Sequence, residues 1–318
     1  QLPGIKLLYN HWGLSPNLYS LFAPLLHRRA LRQATVFKTN QLDGAWTAVI
    51  AGQLLRKPVI VRAGYLWAKN FVRQNGQSLK SRLIKQLEKF SFRRATAVVV
   101  TTTTMRQTVS QQYGIDLEKI HVIPNYVDTD TFRPLPEITS KRGRICYVGR
   151  LIPLKNLDLL IQAVAAVPGT SLTLVGNGEQ QPELERLAQH LGAPVIFAGR
   201  ISNIELPQLL NQASIFVLPS QYEGHPKALI EAMACGLAVV GSDVEGIRDV
   251  IQPEQTGLLV APTVPELTAA LNRLMADEAL CDRLGNAAAK FAQDAYSLKH
   301  IVELEQLVMR RTVEVYAK

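Results

Sequence analysis

The chain has 318 residues, 47% of them hydrophobic and 19% charged, a soluble globular balance that excludes a disordered chain. No apolar run reaches the ~18–20 residues that a membrane span needs, and the three scattered cysteines (Cys146, Cys235, Cys281) exclude a disulfide framework and a zinc site. The formal charge of +9 favours anionic partners, whether phosphorylated substrates, nucleic acid or an anionic membrane surface, without choosing among them.

Short β-branched runs alternate with longer segments of helical period, the signature of βαβ units and parallel sheets. In the first part the expected strands are 5–9, 35–38, 59–62, 97–100 and 121–123, with helices such as 44–56 and 78–94 between them. Residues 17–34 and 79–95 each read as a helix with an apolar stripe and an Arg/Lys face. That pattern fits either an interfacial helix or a surface helix with a solvated basic face. Residues 128–144, with Pro134 and Pro136, read as an interdomain linker. The alternation then restarts, with strands expected at 145–148, 171–175, 195–198, 215–218, 238–241 and 257–260. The helices between them are expected at 156–167, 181–191, 204–212, 226–235 and 246–251, and the chain from Val264 onward reads as helical. The fold class is α/β, two doubly wound domains with a helical tail.

Sheets of this kind bind ligands beyond the carboxyl ends of their strands. After 145–148 come Gly149-Arg150-Leu151, then Lys155-Asn156 opening a helix, so two cations share one strand-to-helix loop. Arginine offers phosphate a planar fork and lysine a point charge. After 171–175, Gly176-Asn177-Gly178 is too short for a dinucleotide fingerprint and marks a tight turn where a ligand or another backbone passes closely. After 215–218 the chain runs through Glu223-Gly224-His225-Pro226-Lys227-Ala228 into a helix that carries Glu231 on an otherwise apolar stretch. Pro226 suits a first helical position, and the free N–H groups of that turn form an anion pocket. Glu231 reads as an acceptor for vicinal hydroxyls or as a paired core carboxylate, and His225 as a supporting residue.

These motifs, with Glu223 and Glu231 eight positions apart, Glu231-Ala-Met-Ala-Cys-Gly236, Gly246-Ile247 and Gly257-Leu258-Leu259, resemble retaining glycosyltransferase family 4. The stretch 123–134, Ile-Pro-Asn-Tyr-Val-Asp-Thr-Asp-Thr-Phe-Arg-Pro, is also similar to that family's interdomain entry. The likeness spans roughly residues 95–318. It implies a GT-B fold of two Rossmann-like domains facing a cleft. The acceptor-side domain would be 1–133, the donor domain 134–296, and a final helix within 297–318 would pack back on the first domain. The resemblance also implies that Arg150 and Lys155 bind the diphosphate, that Glu223 bonds the donor sugar and that Glu231 bonds the ribose. Gly149, Asn177, Gly178, Gly224, His225, Pro226, Lys227 and Ala228 would line the donor, with Arg200 and Ile201 against its base.

The reaction implied moves a hexose-type sugar, with retention, from a UDP-, GDP- or ADP-sugar to a glycan or lipid-linked acceptor. It needs neither metal nor cofactor, and no nucleic acid partner is implied. A cytoplasmic enzyme, peripheral to an anionic membrane and serving polysaccharide or lipopolysaccharide assembly, follows by analogy. The family's first strand and glycine-rich loop have no counterpart before Ile5, so the first domain is expected to be incomplete at its start. Where family members place a histidine, this chain reads Arg62-Ala63-Gly64-Tyr65, which makes Arg62 and Tyr65, with His11 after an early strand, the acceptor-side candidates. A non-catalytic nucleotide-sugar-binding or scaffold protein and a GT-B sugar-nucleotide epimerase are the other readings.

Overall fold

The computed structural model describes residues 5–317, which divide into two compact units. The first comprises Gln1–Ile123 with Glu303–Lys318, and the second Pro124–Val302.

In the first unit the helices α1 (Pro16–Leu26) and α2 (Arg28–Leu31) precede β1 (Phe37–Lys38). The alternation continues as α3 (Ala45–Leu55), β2 (Val59–Ala63), α4 (Trp67–Asn75), α5 (Leu79–Arg94), β3 (Ala97–Val100), α6 (Thr103–Tyr113) and β4 (Ile120–Val122). The four strands are parallel and lie in the order β1-β2-β3-β4. β2 and β3 are buried almost throughout, as strands covered on both faces must be. Within α5 the apolar stripe is partly core, since Ile84 and Phe92 are buried while Leu79 and Leu83 stay exposed.

The strand expected at 5–9 does not form. Ile5, Leu7, Leu8 and Tyr9 are exposed and make no ladder, because a strand exists only by pairing and no neighbour receives this segment among the described residues. His11 therefore sits in an exposed turn and not after a strand.

The second unit runs β5 (Lys141–Val148), α7 (Leu157–Ala165), β6 (Ser171–Val175), α8 (Gln181–Leu191), β7 (Val195–Gly199), α9 (Leu206–Asn211), β8 (Ala213–Leu218), α10 (Lys227–Ala234), β9 (Ala238–Ser242) and β10 (Leu258–Val260). The helices α11 (Val264–Ala276), α12 (Glu278–Tyr296) and α13 (Leu298–Ala317) follow. Its six parallel strands are ordered β10-β9-β8-β5-β6-β7, which numbered from β5 is the doubly wound 3-2-1-4-5-6 pattern. The order reverses between β5 and β8, so the crevice at their carboxyl ends is the unit's topological switch point.

Three local expectations change. The helix expected at 246–251 does not form: residues 246–250 are turns, and Gly246 holds a left-handed φ of 88° that a right-handed helix does not contain. The stretch 128–144 is not all linker, because Phe132 is buried and β5 already begins at Lys141. Pro226 caps α10 with an extended ψ of 107°, leaving Lys227 as the first helical residue.

Cys146 and Cys235 lie in the core, where burial pushes both thiols up to about 12 and keeps them from acting as nucleophiles. From Glu303 onward α13 belongs to the first unit, where Glu305 bonds Arg62 at 2.6 Å and Lys38 at 3.0 Å.

Candidate active site

Chemistry-bearing residues of the second unit gather at the switch point because loops from four strands are stitched together there. The chain leaves β5 through Gly149 and Arg150, then makes a 3-10 turn at Pro153–Lys155. Asn156, the residue before α7, has the left-handed φ of 48° that asparagine tolerates better than most side chains. Its Nδ2 donates to the Pro219 carbonyl at 3.0 Å, and its Oδ1 accepts from Gln221 Nε2 at 2.7 Å. The Gln221 N–H donates in turn to the Leu154 carbonyl at 2.9 Å. Three hydrogen bonds thus fasten the loop after β5 to the loop after β8.

That fastening brings Lys155 onto Glu223. Lys155 Nζ bonds Glu223 Oε1, and the same oxygen accepts from Ser220 Oγ at 2.7 Å. Both side chains of the ion pair are largely buried, at 14% and 13% exposure, so solvent screens it weakly. Ser220 is itself held by Ser242, whose hydroxyl donates to the Ser220 carbonyl. Gly246 lies so close under this loop that a Cβ there would strike the carbonyls of Glu223 and Gly224.

Arg150 is exposed and no ion pair engages it among the described residues. Its carbonyl accepts from the Tyr147 hydroxyl at 3.0 Å. Burial raises the pKa of that phenol; Glu223 raises it further and Arg150 opposes the rise, so both charges act on one buried group. Arg150, Lys155 and Glu223 therefore share one neighbourhood.

From Glu223 the chain passes Gly224 and His225 to Pro226 and α10. His225 is buried, its ring edge-on to Tyr296 at 5.4 Å and its carbonyl accepting from Asn125 at 2.8 Å. Lys227 lies over the Tyr126 ring at 5.4 Å and pairs with Glu231 at 3.6 Å. Ala228 is half-buried beside it. Glu231 is 6% exposed on a helix whose Leu229, Ile230, Ala232 and Met233 are fully buried. Burial raises its pKa and the Lys227 charge offsets part of that rise.

The glycines of 176–178 are explained by a neighbouring backbone. A Cβ on Gly176 would collide with the Gly149 carbonyl, and one on Gly178 with that of Leu151. The loop after β6 thus lies against the loop after β5, with the Leu151 N–H donating to the Asn177 carbonyl at 3.0 Å. Asn177 Oδ1 accepts from Arg200 Nε at 3.1 Å, and half-buried Ile201 packs on the core beyond it.

The candidates of the first unit are not gathered in this way. Arg62 is committed to Glu305 and to the Ile123 carbonyl at 3.3 Å, so its guanidinium braces α13 against β2. Tyr65 is half-buried on the loop after β2, and exposed His11 neighbours Tyr9 and Trp12. Sequence reasoning assigned no part to Tyr147, Ser220 or Gln221. Ser220 and Gln221 stood inside the motif that drew attention to Glu223, but nothing in their order shows that they reach back to β5.

Among the described residues no three His, Cys, Asp or Glu side chains cluster to hold a metal ion. The contacts bring together Arg150, Lys155 and Glu223, while Glu231 is joined to Lys227 along α10.

The architecture matches Anabaena Alr3699/HepE, solved in complex with UDP, with a TM-score of 0.79 and 22% identity over 93% of this chain and 84% of that one. The class that this fold and its switch-point site define is the GT-B fold. The family model of glycosyl transferases group 1 matches residues 128–291 and that of Glycosyltransferase Family 4 matches residues 5–131; the chain belongs to this group of glycosyltransferases. Among its relatives, an alpha-D-kanosaminyltransferase of Streptomyces kanamyceticus is 26% identical, covering 88% of this chain and 78% of its own length. An alpha-maltose-1-phosphate synthase of Mycobacterium tuberculosis is 28% identical, with coverages of 95% and 83%.

Proposed function

We propose that the protein transfers a hexose-type sugar, with retention, from a nucleoside-diphosphate sugar to a glycan or lipid-linked acceptor. The observation that carries this reading is the Lys155–Glu223 pair at the switch point, with Arg150 beside it and α10 beginning next to it. Departure of a nucleoside diphosphate builds negative charge on the phosphates, and preorganised cations stabilise that charge without reorganising. Arg150 and Lys155 take this part, which in many other transferases falls to a metal ion. Glu223, relieved of Lys155 by the entering diphosphate, turns its carboxylate to the sugar hydroxyls. Glu231 accepts from the ribose hydroxyls, and Asn177, Arg200 and Ile201 border the base.

The UDP in the HepE structure and the sugar-transferring names of the relatives support a nucleotide-sugar donor. A thermal-shift screen of UDP, GDP, ADP and their glucose and mannose conjugates tests the reading. One nucleotide series should raise the melting temperature, and the anomeric configuration of the product, read by NMR, should match that of the donor. Failure of every series would remove the donor assignment.

We further propose that the first unit meets an anionic membrane at the cytoplasmic face, where lipid-linked acceptors reside. Leu18, Leu21, Phe22 and Leu25 form an exposed stripe at helical spacing on α1, and exposed Arg28, Arg29 and Arg32 follow it. Co-sedimentation with phosphatidylglycerol vesicles, lost in Leu21→Ser/Phe22→Ser, is expected; equal sedimentation of both proteins would refute it.

A further inference from the structure

At the amino-terminal ends of β3 and β4, the first unit holds a cavity of about 490 Å³. This is the opposite end of the sheet from Arg62, near the close of β2, and from Tyr65 on the loop after it. Lys119 and His121 line it from the start of β4, and Arg311 lines it from the last turns of α13. Ala97 and Val315 give it apolar wall.

Two cations, Lys119 and Arg311, and two carboxylates, Asp116 and Glu118, line this cavity, and no ion pair joins any of the four among the described residues. Lys119 Nζ donates only to the Arg93 carbonyl, at 3.1 Å, and Arg106 Nη2 only to that of Leu117, at 2.8 Å. Arg106 Nε is buried with no hydrogen-bond partner, and no ion pair engages Lys119, Arg106 or Arg311 among the described residues. Asp116 is turned to its own backbone, accepting from the Glu118 N–H at 3.0 Å. The positive field is felt inside: burial first, then the Arg311 and Arg106 guanidiniums, hold the His121 imidazole below its ordinary pKa. Burial also lowers the pKa of Lys119. Half-buried Lys119, with no ion pair among the described residues, is the cation from which an entering anion gains most, and exposed Arg311 adds a second charge.

We infer that this cavity is an anion site, separate from the sugar-transfer chemistry, that takes a phosphomonoester with a small organic body. The phosphoryl group lies among Lys119, His121 and Arg311, and Ala97 with Val315 covers the body. A soluble phosphorylated metabolite and a phospholipid headgroup present the same chemistry.

The test follows the His121 imidazole by NMR in the intact chain. Inorganic phosphate should raise its pKa, since a bound anion stabilises the imidazolium, and Arg311→Glu should weaken the phosphate response roughly tenfold or more. Arg311 is exposed, so the variant keeps the fold; Lys119→Gln provides a second variant with the charge removed in place. A second arm replaces phosphate with phosphatidylcholine vesicles containing phosphatidic acid. A response to phosphate alone identifies a soluble ligand, and a response to the vesicles alone identifies a headgroup. No His121 shift in either arm, or the same shift in Arg311→Glu, overturns the proposal.

Discussion

Glu231 is a carboxylate within the buried, apolar run 229–234 of α10, and its charged partner Lys227, at 3.6 Å, is half-exposed. Its pKa is raised, so the folded protein holds this proton more tightly than the unfolded chain. Stability is therefore lost as pH rises from about 4.5 through the folded value. Glu231→Gln keeps the shape and removes the charge. Its melting temperature at pH 7 should equal or exceed that of the parent, with a flatter dependence above pH 4.5, while turnover of the nucleotide sugar falls about tenfold or more, the worth of a charged hydrogen bond. A variant that melts lower and turns over normally would make Glu231 a structural residue. Arg150→Ala with Lys155→Ala should lower kcat more than it raises KM, because leaving-group charge peaks in the transition state. A pure KM effect in steady-state kinetics would take the phosphate role away from this pair.

At the scale of elements, buried groups do for the first unit what the Asn156–Gln221 stitching does for the second. Glu88 on α5 is 1% exposed; it accepts from the Ala68 N–H at 3.0 Å and from the Tyr113 hydroxyl at 2.5 Å. One carboxylate thus caps the start of α4 and ties α5 to the end of α6. Glu88→Ala strands two buried donors at about 1–3 kcal/mol each. The expected loss is about 2–4 kcal/mol in urea unfolding followed by circular dichroism, and a change below 0.5 kcal/mol on the order of surface substitutions would contradict it. The second unit's loops were readable by type. The Gly176–Gly178 turn, Lys155 before a helix and the α10 motif all carry local signatures of a strand end. Which loops meet was not readable, because strand order is a long-range property: β5 lies beside β8, with two strands and three helices between them in sequence.

At the scale of the whole molecule, the chain passes through the first unit, completes the second and returns to the first with α13. Glu305 on that returning segment pairs with both Lys38 and Arg62, so ending the chain at Val302 removes this carboxylate from two partly buried cations on β1 and β2. It also removes Val308 and Thr312, both of which are buried. Scanning calorimetry of that truncation should show a lower transition for the first unit and an unchanged one for the second. An unchanged trace would show that α13 contributes little to the first unit.

What the order of residues determined by itself was the alternation of strand and helix, the positions of the strand-end motifs and the resemblance that they carry. Each of these rests on interactions within about ten residues: apolar period, glycine and proline geometry, and a proline-capped helix start. Tertiary structure alone decided that Lys155 is bonded to Glu223, that Arg62 braces α13, that residues 5–9 find no sheet, and that Lys119 and Arg311 line one cavity without an ion pair among the described residues. In each case the partner lies far along the chain or is missing, and a side chain's charge or shape does not say which distant surface will be folded against it.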